Sequence, residues 1–312
     1  MTDTSPTVGI ALPVFNGERY LAETLDSLLD QSFTDFEVLI LDNASTDGTP
    51  EIARTYAERD ARIRYERNRE NVGPARNFNL AFERTSGRYF KWAAHDDLLE
   101  RDFLARCVAA LDADRSAVLA CAKARIIDDR GSALLDYDPG LATDADNSAT
   151  RLESLLHDHK CFQIFGLIRR DALSRTNLIG IHADGDGVLL QHLALLGRFV
   201  EVPEYLFLPR QHDTQSATMV GDYWSYSTWF DPSFKGRLTF PHWRWCTETF
   251  RVIGRAPLTV RERLGCLGVT SKVVLGRWRL LRGDVLYHVR PRLVAAGVPE
   301  RLLRRAGSVS RG

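Results

Sequence analysis

The sequence predicts an α/β fold: a mostly parallel sheet flanked by helices, followed by a C-terminal helical extension. Three observations carry this expectation. Strand-like apolar runs alternate with helical patterns through the first third of the chain, as expected of a parallel sheet covered on both faces. Polar clusters fall at the carboxyl ends of several of those runs, where open α/β sheets place their ligands. The segment 257–312 then mixes aliphatic residues with arginines in a way that suits amphipathic helices.

The elements follow in order. Val8–Val14 is a β-rich run, and Glu18–Asp30 carries Leu21, Leu25, Leu28 and Leu29 at helical spacing. Phe36–Leu41 is a second strand, and a turn cluster runs from Asn43 to Gly48. Thr49 is placed to cap the next helix, with Pro50 at its first position. Ile63–Glu66 reads as a third strand, Pro74–Glu83 as a third helix and Tyr89–Ala94 as a fourth strand. Beyond Asp128 the periodicity weakens. Tyr137–Thr150 reads as a loop, Arg151–His157 as a helix, Gln163–Arg169 as a strand and Gly187–Leu196 as a helix. Residues 222–246 are rich in Trp and Tyr.

The composition, 44% apolar and 26% charged, excludes a disordered or fibrous chain. The formal net charge is zero but unevenly spread. Thirteen Lys/Arg from Arg255 onward face only Glu262, Asp284 and Glu300, while residues 1–254 carry 28 basic and 38 acidic residues. The basic segment therefore either meets an anionic partner, such as an inner-leaflet membrane surface, or forms a solvated helical face. Five cysteines without C-x-x-C spacing suggest neither a zinc site nor a disulfide framework, and suit a reducing cytoplasm. The start of the chain lacks the pattern of a signal peptide, and no apolar stretch is long enough to span a bilayer. The expected location is cytoplasmic, with peripheral attachment to the inner face of the membrane through 257–312 as an option.

Several polar groups suit the chemistry of a nucleotide diphosphate. Asp96 and Asp97 follow the strand Tyr89–Ala94, and paired carboxylates there can hold Mg²⁺ or Mn²⁺ against phosphate oxygens. They can equally be turn residues, as can His95. Asp42 ends the second strand and can either accept hydrogen bonds from a base or ribose or close an Asx turn. Asn71, Gly73, Arg76 and Asn77 stand around a helix start, where they can meet a diphosphate or simply form the turn and cap. Asp184 and Asp186 precede the helix ending near Leu196; either can serve as a general base or as an N-cap. His212 can complete a metal shell or be structural.

Together these segments resemble the family 2 glycosyltransferases of the GT-A (Rossmann-like) fold. The carrying stretches are VGIALPVFNGERYLAETLDSLLDQSFTDFEVLILDNASTDGT, ENVGPARNFNLAF, GRYFKWAAHDD and DGDGVLLQHLALLGRF followed by RQH, clear over about residues 7–215. The resemblance implies that Pro13, Asn16 and Glu18 line the donor nucleotide, and that Asp42 contacts base or ribose with Ser45 and Asp47 nearby. It implies that Asn71, Gly73, Arg76 and Asn77 lie on the diphosphate side. His95-Asp96-Asp97 takes the place of the family's D-x-D motif, with Asp97 the best metal ligand, assisted by Asp96 and His212. Asp186 matches the catalytic base of inverting members. Two departures stand out: His95 replaces a common acid, and Gly185 replaces a common Glu, which makes Asp184 a rival base.

The resemblance further implies a GT-A domain over 1–215, with a nucleotide-sugar half at 7–125 and an acceptor half at 126–215, and a C-terminal extension over 216–312. It implies a UDP-, dTDP- or GDP-sugar donor and a glycan or lipid-linked acceptor in envelope or polysaccharide assembly, and no nucleic-acid partner. Two rival readings are a sugar-nucleotide nucleotidyltransferase and a catalytically silent nucleotide-sugar-binding protein. The first would usually open on a Gly-rich basic loop, whereas Pro13–Glu18 holds one Gly and an acid.

Overall fold

A computed structural model describes residues 5–213 and 237–295, with side chains of the last helix through residue 289. A mixed sheet runs in the order β3-β2-β1-β4-β8-β6-β9-β5, with β7 paired to β6. Strands β1 (Val8–Val14), β2 (Phe36–Asp42), β3 (Ile63–Arg67) and β4 (Tyr89–Trp92) are mutually parallel. Their continuous apolar runs follow from burial on both faces. Side chains alternate between two cores: Ile10, Leu12, Val38 and Ile40 on one face, Ala11, Leu39 and Leu41 on the other.

The first face carries α1 (Leu21–Leu29), α2 (Thr49–Arg59) and α4 (Phe103–Ala113). The second carries α3 (Pro74–Glu83), α6 (Arg170–Ser174) and α7 (Gly185–Leu196). The expected parallel α/β sheet is thus present. Its far half is built from β5 (Leu98–Leu99), β6 (Ala117–Ile127), β7 (Ala133–Tyr137), β8 (Leu167–Arg169) and β9 (Arg198–Leu208). There antiparallel pairs join the parallel β6–β9 pair.

Several local expectations need correction. The first helix begins at Leu21, not Glu18, because the preceding turn is held open by Asn16 at φ 53° and by the Glu18 carboxylate on the Gly48 N–H. Thr49 does not cap its own helix; Gly48 is the cap residue, and Thr49 Oγ1 accepts the Gly17 N–H at 2.8 Å. The expected strand 163–169 splits into a 3₁₀ turn, Phe162–Phe165, and the short β8. Gly166 divides them: a Cβ there would lie 2.6 Å from the Ala120 carbonyl oxygen, so the chain crosses β6 at close range. The loop expected over 137–150 loses its ends to β7 and to α5 (Ser148–Leu155), which Asn147 caps by accepting from the Ala149 N–H at 2.8 Å. Most of the aromatic-rich 222–246 segment lies outside the described residues.

The C-terminal helices are α8 (Pro241–Arg255), α9 (Val260–Gly276) and α10 (Trp278–Ala295). They build a third core, in which Trp245, Val252, Ile253 and Cys266 meet Leu152, Leu156, Val188 and Leu195. Helix α7 is consequently buried along nearly its whole length, squeezed between this layer and the sheet. Thr249 of α8 donates to Gln191 of α7 at 2.9 Å inside that contact. Among the described residues, no helix is long and apolar enough to cross a membrane.

Candidate active site

The loops leaving β1 and β2 are stitched into one polar shelf. The Asn16 N–H donates to Ser45 Oγ at 2.9 Å, and Asn16 Oδ1 accepts the Thr46 N–H at 2.8 Å. Glu18 accepts the Gly48 N–H at 2.6 Å, while Asp47 accepts the Glu18 N–H at 3.1 Å. Asn16, Glu18, Ser45 and Asp47 are therefore brought together, with Pro13 buried behind them in β1. Asp42 is fully buried: its Oδ1 accepts the Ser45 N–H at 2.8 Å and its Oδ2 the Tyr65 hydroxyl at 2.9 Å. Arg67 stands 3.6 Å from the same Oδ2. Asp42 thus acts first as the clasp of the β2 turn.

A second network lies alongside. Asn43 donates to Asn71 at 2.8 Å, Asn68 donates to both Asn43 and Asn77, and Asn77 donates to the Leu41 carbonyl at 3.0 Å. Gly73, at φ 85°, needs its missing side chain to enter α3. Asn77 is buried and anchors α3 to β2, whereas Arg76 is exposed on that helix. Asn68 is a member that reading the sequence missed, and Asn43 was read only as the start of a turn; each follows the last residue of a strand.

At the end of β4 the two adjacent aspartates part company. Asp96 Oδ2 lies 2.9 Å from His212 Nε2, and the two side chains keep 12% and 5% exposure. Burial works to raise the Asp96 carboxyl, but the His212 hydrogen bond and the neighbouring His95 and His212 charges outweigh it and hold it below its ordinary value. Asp97 points inward. Its Oδ1 accepts the Arg210 N–H at 2.9 Å, and it borders a cavity of about 10 Å³ with Thr24, Ser27 and Lys91. Burial first, then the Asp96 charge, push its carboxyl well above the usual range. Beside it, burial lowers the fully buried Lys91 to about 8. The expectation that Asp97 is the foremost metal ligand therefore meets a carboxylate committed to the interior. His95 packs its ring over Gly17, where any Cβ would lie 2.7 Å from it.

Arg210 organises this corner and was not singled out from sequence. Its guanidinium donates to the Asp96 carbonyl at 2.9 Å, the Asp129 carbonyl at 3.0 Å and Glu23 at 2.7 Å, and lies over the Tyr20 ring. Its position two residues before His212 in the RQH stretch was the available signal. Tyr20 also contacts the His212 ring, at 4.9 Å between centroids, and its buried hydroxyl has no partner among the described residues.

Asp184 and Asp186 come from the start of α7. Asp184 is the cap residue in the left-handed region, φ 59°, without a side-chain capping bond. Asp186 Oδ1 accepts the adjacent Gly187 N–H at 2.9 Å. Burial, then the neighbouring Asp184 charge, raise the Asp186 carboxyl to about 6. The missing Glu at Gly185 has a steric cause: a Cβ there would lie 2.2 Å from the Gly180 carbonyl oxygen.

As for the metal, a carboxylate and an imidazole, with an orphaned hydroxyl beside them, suit a hard divalent cation that keeps phosphate oxygens as further ligands. No group of three or more His, Cys, Asp or Glu side chains among the described residues is gathered to hold an ion unaided.

A parallel half-sheet with polar loops at its carboxyl edge, continued by an antiparallel half, is the GT-A architecture. Solved structures share it: Staphylococcus aureus TarS 1-349 in complex with UDP-GlcNAc has a TM-score of 0.55 at 15% identity, covering 88% of this chain and 91% of that one. Mannosyltransferase PcManGT from Pyrobaculum calidifontis, in complex with GDP-Man and Mn²⁺, has a TM-score of 0.56 at 18% identity, covering 97% and 82%. The model of glycosyl transferase family 2 matches residues 9–176, and the chain belongs to that family. Among curated relatives, a putative teichuronic acid biosynthesis glycosyltransferase, TuaG of Bacillus subtilis, is 39% identical over 104 residues, 33% of this chain and 41% of that one. A glycosyltransferase of Rickettsia prowazekii, RP339, is 28% identical over 160 residues, 50% and 49% of the two chains. The chain spans about half the length of the curated relatives it matches.

Proposed function

We propose that the protein transfers a sugar, with inversion, from a nucleotide-diphosphate sugar to an acceptor hydroxyl in envelope glycan assembly. The observation that carries this reading is the state of Asp186, a partly buried carboxyl at a helix start, raised to about 6 by desolvation and by the Asp184 charge. A general base works best with a pKa near the working pH, ionised yet basic enough to take a proton. Asp186 accepts the acceptor's hydroxyl proton as its oxygen attacks the anomeric carbon and the nucleoside diphosphate departs. Family membership, the GT-A fold and relatives that bind UDP-GlcNAc or GDP-Man support a UDP-, dTDP- or GDP-sugar donor.

On this reading residues 7–125 hold the donor and 126–215 face the acceptor, a glycan or lipid-linked hydroxyl. The shelf of Asn16, Glu18, Ser45 and Asp47 and the network of Asn71, Gly73 and Asn77 bind and orient the nucleotide, with Asp42 bracing the first and Arg76 open to the diphosphate. Asp96 and His212 would hold Mg²⁺ or Mn²⁺, and Asp97 positions them through Arg210. Such an ion, when bound, neutralises charge on the leaving diphosphate. The five unpaired cysteines support a reducing, cytoplasmic setting. The test is a thermal-shift panel of UDP-, GDP- and dTDP-sugars with Mn²⁺, followed by NMR of the product's anomeric centre. Absence of any nucleotide-sugar shift, or a product of retained configuration, would overturn it.

A further inference from the structure

The residues of the basic C-terminal segment fall into two groups, one packed inward and one exposed. Leu267, Val273, Val274 and Leu281 face inward and pack against the third core. Two arginines serve it too. Arg263 donates to the Ile253, Gly254 and Ala256 carbonyls at the end of α8, and Arg277 donates to the Leu156 carbonyl while lying over Trp245. These groups are structural.

The solvent-exposed side of α9 is different. Val260, Leu264 and Leu275 are 77%, 64% and 73% exposed, and they fall on one stripe at helical spacing. Cys266 and Thr270 are buried on the other side. Trp278, half exposed, stands at the start of α10, three residues beyond Leu275. Arg261 and Lys272, both exposed, lie along one flank of the stripe, and Arg279 follows Trp278. The helix's one acidic residue, Glu262, is engaged with Thr259 in a capping box at its N-terminus.

We infer that this outer face of α9, with Trp278, docks in the plane of an anionic lipid surface. The aliphatics and the indole enter the acyl boundary, and Arg261, Lys272 and Arg279 meet the headgroup phosphates. Charge selects this occupant: a second copy of the same face would set its cations against like cations. The inference does not rest on the transfer reaction.

The test is flotation of the full chain with vesicles of phosphatidylcholine alone or with phosphatidylglycerol. The protein should float only with the anionic vesicles and be released by high salt. Leu264→Glu with Leu275→Glu should lower the bound fraction roughly tenfold, and Arg261→Gln with Lys272→Gln severalfold. Both variants should melt as the wild type does, because the altered side chains are exposed. No flotation with anionic vesicles, equal flotation with neutral ones, or unaltered binding by the variants would overturn the inference. So would light scattering that shows a dimer dispersed by the leucine variant, since a second copy would then cover the face.

Discussion

The carboxylates at the end of β4 and those at the start of α7 are prepared in opposite ways. Asp96 is buried beside His212 and held below its ordinary pKa, so it stays anionic across the working range. Asp186 is partly buried, with backbone donors and an acidic neighbour, and is raised to about 6. Burial raises both. The partners decide the outcome: an imidazole lowers the one carboxyl, and an aspartate raises the other. On the proposed reading, the first suits a cation and the second a base.

The largest expected effect breaks the base side of this comparison. Asp186→Asn keeps the shape and removes the proton acceptor, so turnover should fall about 10³-fold. Donor-induced thermal shifts should stay near wild type, because the base acts on the acceptor. Full activity in a nucleoside-diphosphate release assay would reassign the role.

The next concerns the two adjacent aspartates. Asp96→Asn should cost about 10²- to 10³-fold in turnover and weaken the Mn²⁺-dependent thermal shift with UDP. Asp97→Asn retains an oxygen for the Arg210 N–H and should cost roughly tenfold or less. If Asp97→Asn proves the more damaged variant, the inward carboxylate reaches the cation after all.

A pH profile sharpens the contrast. A raised carboxyl is protonated below its pKa and cannot accept a proton, so turnover should drop about tenfold per pH unit below about 6 and be flat above. Asp184→Asn removes the neighbouring negative charge that helps raise Asp186. Its acid limb should therefore move to lower pH, with maximal turnover within a few-fold of wild type. An unmoved limb would mean that Asp184 does not act on Asp186.

The smallest effect tests why the Glu is missing. Gly185→Ala places a methyl against the Gly180 carbonyl and should cost about 1–3 kcal/mol in urea unfolding. A neutral substitution would show that the start of α7 has room for a larger residue.

Reading the sequence reached the first half of this molecule more fully than the second. β1 to β4 are continuous apolar runs because they are covered on both faces, and the polar clusters after them mark the carboxyl edge. β6 and β9 were hidden by Lys123, Arg125, Glu201 and Glu204, charges tolerable where a strand nears the sheet margin or solvent. β7 is mostly exposed and has no inward stripe to betray it. The division between Asp96 and Asp97 was equally out of reach. Neighbouring residues point different ways, and only the arrival of Arg210 and His212 from a distant strand end says which faces the site.

That distance has a consequence for how the protein is made. Arg210 reaches back 113 residues to the Asp97 carboxylate and 187 to Glu23. Contacts of such long range close late, after local helices and neighbouring strands have formed. While the chain is still being synthesised, the polar shelf can assemble from the β1 and β2 loops alone. The Asp96–His212 pair cannot, because one partner has yet to be translated. A truncated or half-folded chain would then present the polar shelf without the Asp96–His212 corner, so the two halves of the candidate site come together only with the completed sheet.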